Sequence, residues 1–398
     1  MNILFYTDKN VDPSLGGVER VTDILVRTLM SRGVTCVSAY GNEARPGYKD
    51  VFASSYHLID FEKDLRDIVL RHKIDVVINQ SRQERIMATK RAIAGLPCKL
   101  VFAHHLAPGW EENTFDYKYF MNECCPWNSV MDWMKAPYRA TLGYWMMKRR
   151  IDSLYKQRFS EVLHESDAIV LLSSRYKGAF LDYCGSRDEN DGEKLYVIHN
   201  PHIVKAECEV EQEKKLKEVV IVSRMYEVQK RISLALRIWM KLMSTGKYDD
   251  WKLTIVGDGE QKEDYERQIR RQKIRNVEMV GHKSDPKPYY ERARIFMMTS
   301  KSEAWPMTIM ETLEAGAVPV VFDSFAAIYD MIENGKNGFI VKEGDIDSYI
   351  GVMEKLMGDE EYRRSVSGGC RPSLERFSAD KIADDWIALF GKLTGREA

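Results

Sequence analysis

The chain of 398 residues lacks any apolar run near the ~18 consecutive residues that cross a bilayer. Its start also lacks a basic head followed by an apolar stretch, so we expect no secretory signal peptide. An excess of one charge sign is missing too, because 59 basic residues stand against 60 acidic ones for a net charge of -1. Without a basic field, nucleic acid is not expected as a partner.

Cysteines are few and carry no metal or redox spacing. The seven occur at positions 36, 98, 124, 125, 184, 208 and 370, and none of the gaps between them is that of a zinc knuckle or a thioredoxin-like motif. The number is odd, and the adjacent pair at 124 and 125 is poorly suited to an ordinary disulfide. We therefore predict a reduced, cytoplasmic protein.

What the chain does have is the composition of an ordinary globular protein, with 44% hydrophobic and 30% charged residues. This composition excludes a disordered or collagen-like chain. Short apolar, β-branched runs alternate along it with longer amphipathic runs. The predicted strands are Ile3-Tyr6, Val34-Ala39, Val76-Asn79, Leu100-His104, Ala168-Ser173, Leu195-His199, Val219-Ser223, Lys252-Val256, Val277-Val280, Ile295-Thr299 and Val318-Phe322.

These apolar runs are continuous and do not alternate with polar residues, which is typical of parallel strands covered by helices on both faces. We therefore predict an α/β protein with two Rossmann-like, doubly wound parallel sheets facing a cleft. The predicted domains are 1–200 and 201–378, with a helix over 379–393 packing back on the first. The charged stretch 205–217 is interpreted as a linker or edge segment.

Residues 110–158 depart from this alternation. They include four tryptophans, and between 135 and 158 seven basic residues stand against one acid, Asp152. Aromatic rings beside Lys and Arg suit a membrane-water interface. Two interpretations stay open. One is a peripheral contact with lipid or a lipid-linked partner at the inner face of the plasma membrane; the other is a long exposed helix whose aromatic side chains pack inward.

Residues 300–311 follow a predicted strand and hold two carboxylates, Glu303 and Glu311. Pro306 suits the first turn of a helix, and Gly316 suits its end. Glu303 is then expected before the helix, and Glu311 roughly 7 Å further along its axis. This separation suits two hydroxyl-bearing rings at the ends of a diphosphate, whose charge the helix N-terminus favours. Two unrelated surface glutamates are the alternative.

Two cations, Arg224 and Lys230, lie on one loop after the predicted strand Val219-Ser223. Ligands in doubly wound sheets bind beyond the carboxyl ends of strands, so the two cations are placed to converge on a phosphate. Fixed cations there would stabilise the charge that a leaving diphosphate gains. Ordinary surface cations are the alternative.

Two weaker features precede them. Gly16-Gly17 follows the first strand and opens a helix, an arrangement that lets an anionic ligand approach the backbone or simply forms a tight turn. It is not a Gly-x-Gly-x-x-Gly fingerprint, so a dinucleotide site is disfavoured. His104 and His105 end a strand, where one is expected to contact substrate. Asp345 precedes a helical run and is predicted to cap it rather than to bind metal.

In this order, the motifs resemble the family-4 retaining glycosyltransferases of the GT-B fold, within glycosyl transferases group 1. The resemblance covers nearly the whole chain and is most specific from Arg224 to Val341. Two positions depart from the family pattern: Ala304 stands where Gly is usual, and 323–327 lacks the usual glycines and glutamate. The matching residues are Gly16, Gly17, His104, Arg224, Lys230, Glu303, Glu311 and the segment 316–320.

The resemblance implies that Glu303 contacts the donor sugar and Glu311 the nucleotide ribose. It implies that Arg224 and Lys230 hold the diphosphate in place of a metal ion, and that His104 binds the transferring sugar. Retention by same-face attack, without a protein nucleophile, also follows from it. The residues predicted to bind the donor are Gly16, Gly17, Arg224, Lys230, Glu303, Trp305, Pro306, Met307 and Glu311, and those predicted to act in catalysis are His104, Arg224, Lys230 and Glu303.

We therefore predict a metal-independent hexosyltransferase without a cofactor. It would use a UDP- or GDP-sugar as donor and a glycan or lipid-linked glycan as acceptor, in cell-surface polysaccharide biosynthesis. Two other classes stay open: a nucleotide-sugar epimerase of GT-B fold and a non-catalytic glycan-binding partner subunit. The spacing of Glu303 and Glu311 disfavours the first, and their presence together with Arg224 and Lys230 disfavours the second.

Overall fold

The computed structural model describes residues 1–14, 16–42, 50–110, 138–186, 188–204 and 212–396. The chain divides by its contacts into two compact units. The first unit contains Met1–Asp12, Leu25–His199 and Ala383–Ala398, and the second contains Pro13–Ile24 and Asn200–Ile382. The largest difference from the predicted domains is Pro13–Ile24, which carries Gly16 and Gly17 and groups with the second unit, as do Asn200 and residues 379–382.

The first unit is built on a seven-stranded sheet in which all paired strands are parallel. The strand order is β3-β2-β1-β4-β5-β6-β7. The strands are β1 Asn2–Thr7, β2 Thr35–Tyr40, β3 Ser54–His57, β4 Val76–Gln80, β5 Lys99–His104, β6 Ala168–Leu171 and β7 Leu195–Val197. The α-helices from the same part of the chain are α1 Gly17–Ser31, α2 Phe61–His72, α3 Ile86–Ala92, α4 Tyr144–Glu165 and α5 Tyr176–Cys184.

The second unit is built on a six-stranded parallel sheet of order β10-β9-β8-β11-β12-β13. Its strands are β8 Glu218–Val222, β9 Lys252–Val256, β10 Val277–Gly281, β11 Ile295–Met298, β12 Val318–Asp323 and β13 Phe339–Lys342. The remaining helices are α6 Glu227–Lys230, α7 Ile232–Ser244, α8 Lys262–Gln272, α9 Lys287–Arg292, α10 Met307–Glu314, α11 Ile328–Met331, α12 Ile346–Gly358, α13 Glu360–Cys370 and α14 Ala379–Thr394.

The predicted fold class of two parallel α/β sheets is confirmed, and burial explains why the strands were recognisable. β4 and β11 are buried along their whole length, as expected for strands covered on both faces. β3 and β13 were missed. β3 alternates between exposed and half-buried residues, and β13 has one fully buried residue, so neither carries a continuous apolar run.

Helix α7 shows how the second unit's core is assembled. Its buried residues recur at helical spacing, from Ile232 through Leu236 and Trp239 to Met243, so one face packs against the sheet. The indole of Trp239 is fully buried and donates from Nε1 to the Arg275 carbonyl at 3.0 Å. The large apolar ring is therefore buried without leaving its N–H unsatisfied.

Within the segment 205–217, interpreted as a linker or edge segment, the structure describes 212–217, and the side chain of Lys215 is buried there. Its Nζ donates to the carbonyls of Glu291 and Ala293, both at 2.8 Å, and lies 3.4 Å from that of Tyr290. These oxygens end α9, where a cation is favoured by the helix dipole. Burial lowers the pKa of Lys215 to about 8.

Four cysteines lie among the described residues, and all four are free and buried: Cys36, Cys98, Cys184 and Cys370. Burial raises the pKa of each thiol to about 12. A thiol with such a pKa stays protonated and is a poor nucleophile. These cysteines are therefore packing residues in the two units.

The turn after β9, Gly257-Asp258-Gly259, lies directly against the segment that follows β8. The Met225 amide donates to the Asp258 carbonyl at 2.8 Å. A Cβ on Gly257 would stand 1.9 Å from the Ser223 carbonyl oxygen, and one on Gly259 would stand 2.5 Å from that of Met225. Both glycines also have positive φ angles, 141° and 154°. Two backbones meet here at a distance that only glycine permits.

We therefore expect Gly257→Ala to lower the free energy of unfolding by about 3 kcal/mol or more, since the clash is with main chain that cannot rotate away. Urea denaturation followed by tryptophan fluorescence measures this change. Gly351→Ala in α12 is the matched control, because no atom lies within 4 Å of the added methyl. That control should change stability by less than about 1 kcal/mol, towards greater stability. Equal stability of both variants would contradict the close approach.

Candidate active site

The carboxyl ends of β8 and β11 carry the two loops that hold most of the predicted site residues. The strands are neighbours in the second sheet, with Ile295 paired to Val219 and Phe296 to Val220. The loop after β8 contains Arg224 and leads into α6, whose last residue is Lys230, and the loop after β11 contains Glu303. The topology therefore brings the predicted cations and the first carboxylate to one edge of the sheet.

Lys230 and Glu303 form an ion pair at this edge, with Nζ 2.5 Å from Oε1. Only 19% of the lysine side chain and 9% of the glutamate side chain are exposed. The Gln229 amide nitrogen lies 3.1 Å from the Ser302 carbonyl and 3.5 Å from Glu303 Oε2. The first carboxylate of the predicted motif is therefore held from both of its oxygens by the β8 loop.

Arg231 joins the same two loops through their backbones. It has a φ of 49°, a left-handed conformation that ends α6 and starts α7. Its guanidinium donates to the Thr299 carbonyl at 2.7 Å and to the Ser300 carbonyl at 3.0 Å. The Thr299 hydroxyl in turn donates to the carbonyls of Lys230 and Arg231. This reciprocal set fixes the loop from which Lys230 projects.

Glu227 anchors the other end of α6. Its carboxylate accepts from the Tyr265 hydroxyl at 2.8 Å and from the Ser233 amide at 3.1 Å. Burial is the first cause, and the Glu227 hydrogen bond the second, of a Tyr265 pKa well above its usual range. The phenol therefore stays protonated and keeps donating. Glu227 is a positioning residue for the short helix that presents Lys230.

Arg224, the other predicted phosphate-binding cation, has an exposed side chain. Its carbonyl accepts from the Tyr226 amide at 3.0 Å and from the Ser223 hydroxyl at 3.0 Å, so its backbone is held in a tight turn. The residue after it, Met225, is fully buried and pins the loop to the core. Arg224 thus reaches from an ordered loop towards solvent, as a ligand-binding cation requires.

Helix α10 begins one residue later than the sequence suggests. Pro306 is the cap residue, with φ −71° and ψ 107°, and the helix starts at Met307. Trp305, Pro306 and Met307 were predicted to bind the donor, yet all three side chains are buried. The Trp305 ring packs edge-to-face on Phe377 at 5.3 Å. In this structure these three side chains are core residues, and their donor contacts stay a prediction.

Glu311 lies in the middle of α10, where the sequence places it, and its partner was not predicted. The guanidinium of Arg20 donates to Glu311 Oε1. Arg20 belongs to the segment Pro13–Ile24, which groups with the second unit. Gly16 precedes α1 and Gly17 is its first residue, as predicted. A Cβ on Gly16 would stand 2.5 Å from Glu19 Oε2, whereas one on Gly17 meets nothing within 4 Å.

His104 lies in the first unit as the last residue of β5, and its ring is 1% exposed. It packs against three aromatic rings, those of Phe102, Phe159 and Phe180, at centroid distances of 5.3 to 5.8 Å. His105 is only partly buried, and its amide donates to the Ser81 hydroxyl at 2.8 Å. The sugar-binding role of His104 stays a prediction.

The segment 323–327, which begins at the last residue of β12, departs from the family pattern but is tied to the same edge. The Ser324 hydroxyl donates to the Ser300 carbonyl at 2.6 Å. The Tyr329 hydroxyl donates to Asp323 at 2.6 Å. A third loop is therefore ordered against the one that holds Glu303, without the usual glycines.

Within the described parts of the chain, no three His, Cys, Asp or Glu side chains are arranged to hold a metal ion. The prediction that Asp345 caps a helix is confirmed: its carboxylate accepts from the Ser348 amide at 3.0 Å. This hydrogen bond holds the pKa of the carboxyl below its usual value. Metal independence of the reaction stays a prediction.

Half of the segment 110–158 lies outside the described residues, which resume at Tyr138. The first half of α4 exposes large apolar side chains, with Trp145 51% exposed, next to basic ones. The Arg149 guanidinium lies 4.0 Å from the centre of the Trp145 ring. Among the helices of the described residues, none is both long enough and apolar enough to span a membrane.

Comparison with known proteins gives the class of fold first. An apo galactosyltransferase structure, the lipopolysaccharide outer core enzyme WaaB, superposes with a TM-score of 0.70 at 17% identity over 98% of this chain and 100% of that one. Anabaena HepE in complex with UDP superposes with a TM-score of 0.70 at 13% identity over 98% and 100%. The fold is therefore GT-B, as predicted.

The sequence comparisons find relatives over part of the chain. Residues 205–368 match the model of glycosyl transferases group 1. An uncharacterized glycosyltransferase of Haemophilus influenzae is 26% identical over 39% of this chain and 43% of its own length. A lipopolysaccharide 1,6-galactosyltransferase of Salmonella typhimurium is 27% identical over 56% and 61%. The resemblance to glycosyl transferases group 1 is confirmed, while family 4 stays a prediction.

The ion pair between Lys230 and Glu303 can be tested by its effect on stability. We expect Lys230→Met to lower the free energy of unfolding by about 2–4 kcal/mol, because it leaves the buried Glu303 carboxylate without its cation. Urea unfolding measures the loss, and Lys241→Met on the exposed face of α7 is the control. Adding Glu303→Gln to Lys230→Met should recover part of the stability. A loss below about 0.5 kcal/mol would mean that the pair does not form.

Proposed function

We propose that the protein is a retaining glycosyltransferase that moves a hexosyl unit from a nucleotide-diphosphate sugar to a glycan or lipid-linked glycan. The observation that carries the proposal is the Lys230–Glu303 pair at the carboxyl edge of β8 and β11, inside the segment that matches glycosyl transferases group 1. A cation there suits the donor diphosphate, and a carboxylate suits the sugar hydroxyls.

In this proposal the site residues act by electrostatic stabilisation of the leaving group. The bond between the sugar anomeric carbon and the diphosphate oxygen breaks, the acceptor oxygen bonds to the same face, and its proton passes to the leaving diphosphate. Negative charge therefore grows on the diphosphate, where Arg224, Lys230 and the N-terminus of α10 stabilise it. Glu303 orients the sugar, and Glu311 binds the ribose hydroxyls. No protein nucleophile, cofactor or metal ion is required in this scheme.

UDP-sugars are the first donors to test, because a structural neighbour was crystallised with UDP. The proposed setting, cell-surface polysaccharide synthesis at the cytoplasmic face of the membrane, rests on the names of the relatives and on the exposed basic and aromatic side chains of α4. An epimerase would consume the donor without transferring sugar to an acceptor, and a binding subunit would leave it intact.

We expect the protein to release UDP or GDP from one sugar donor in a panel of UDP-glucose, UDP-galactose, UDP-N-acetylglucosamine and GDP-mannose when a glycan acceptor is present. Lys230→Ala and Glu311→Ala should each lower kcat/KM by about a hundredfold, as for lost transition-state contacts. A coupled assay for the nucleoside diphosphate measures the rate, and NMR of the new anomeric proton gives the stereochemistry.

Lys241→Ala, an exposed lysine paired with Asp347, is the control for that assay and should keep full activity. Full activity of the Lys230→Ala and Glu311→Ala variants would contradict the proposed site. Loss of activity in EDTA that an added divalent ion restores would contradict the metal-free scheme, and an inverted anomeric product would contradict retention.

The proposed membrane contact predicts that the protein sediments with vesicles containing anionic phosphatidylglycerol and not with pure phosphatidylcholine. Lys148→Gln, Arg149→Gln and Arg150→Gln together should lower the vesicle partition coefficient by roughly a hundredfold, since each basic residue near an anionic surface contributes about 1 kcal/mol. Neutralising Arg267, Arg270 and Arg271, three exposed residues of α8, makes the same charge change elsewhere and should leave binding intact. Equal effects of both triple variants would contradict a specific surface.

A further inference from the structure

Arg20 is a residue to which the motif pattern gave no role. It lies in the first turn of α1, four residues after Gly16, and is separated from Glu311 by 291 positions in the chain. Its guanidinium nonetheless donates to Glu311 Oε1. About 45% of the arginine side chain is exposed but only 18% of the glutamate side chain, so the carboxylate is the more enclosed partner.

A second group lies beside the same carboxylate. Tyr290 on α9 is fully buried. Burial first, and then the charge of Glu311 beside it, raise the pKa of Tyr290 well above its usual range. The phenol therefore stays protonated at any working pH. Lys215 holds the end of α9 through the carbonyls of Glu291 and Ala293, which fixes the helix that carries Tyr290.

Glu311 thus lies between a cation from α1 and a phenol from α9. A free glutamate side chain loses rotamer entropy when it binds a ligand, and a side chain that is already held loses less. A carboxylate has about four lone-pair positions, so the bond to Arg20 leaves room to accept from two neighbouring hydroxyls. The arrangement suits a cis-diol, whose two O–H groups point the same way.

We propose that Arg20 is a positioning residue that orients Glu311 to bind the ribose 2′,3′-diol of the donor nucleotide. The inference rests on the proposed function, in which Glu311 binds that ribose. It adds a side chain from α1, the helix that begins at Gly17, to a site whose other predicted side chains come from the segments after β8 and β11 and from α10. Arg20 acts through Glu311 and not on the reacting atoms.

The experiment compares the affinity of the full-length protein for UDP and for 2′,3′-dideoxy-UDP by isothermal titration calorimetry, with the GDP pair run in parallel. We expect Arg20→Met to weaken the nucleotide with the diol by roughly three- to tenfold and the dideoxy nucleotide by less than about twofold. Arg20→Lys keeps the charge but loses the planar fork, so its affinity should fall between those of Arg20→Met and the unmodified protein.

Two controls separate this role from general electrostatics. Arg267→Met removes an exposed arginine of α8, paired with Asp264, and should leave both affinities unchanged. In a Glu311→Ala background, Arg20→Met should have no further effect, because the group that it orients is gone.

Equal weakening of the diol and dideoxy nucleotides by Arg20→Met would overturn the inference, and so would an undiminished effect without Glu311. Thermal unfolding of each variant shows whether a loss of affinity comes from a loss of fold. If the unmodified protein binds neither UDP nor GDP, the proposed function fails and this inference with it. If binding is normal and Arg20→Met changes nothing, only the inference fails.

Discussion

The ion pair between Lys230 and Glu303 is the contact on which the geometry of the candidate site depends. Both groups are largely removed from water, and a buried charge is tolerated only with an opposite charge and hydrogen bonds around it. Gln229 contacts Glu303 Oε2 at 3.5 Å, while Thr299 and Arg231 donate to backbone carbonyls and so join the segments after β8 and β11. These backbone bonds hold both segments around the enclosed pair, which lies at the edge where the donor is proposed to bind.

Much of the fold could be predicted from the sequence, because parallel strands covered on both faces must be apolar throughout. The exceptions have a physical cause. β3 and β13 are partly exposed, so their pattern is mixed. Lys215 belongs to a stretch that is polar by composition, yet three carbonyls at the end of α9 surround its amine. The charge pattern around a residue does not show that its hydrogen-bond partner lies about 75 positions away in the sequence.

Some residues of the candidate site could likewise be predicted from the sequence, and others could not. Arg224, Lys230 and Glu303 could be proposed because they lie on the segments that follow two predicted strands, and Glu311 because of its spacing from Glu303; such positions can be read from the sequence. Trp305 was assigned to the donor site through its place in the motif, but its indole packs on Phe377 from near the end of the chain. Arg20 and Gln229 were missed because their importance depends on side-chain direction after folding, which spacing does not encode.

The buried cysteines allow the opening of each unit to be measured separately. Cys36, Cys98 and Cys184 lie in the first unit and Cys370 in the second, and each thiol is both enclosed and protonated. A thiol reagent added to the folded protein reaches them only when the packing around them opens. With peptide-level detection by mass spectrometry, the labelling rate of Cys370 reports how often the second unit opens. The labelling rate of Cys36 reports opening of the first unit independently.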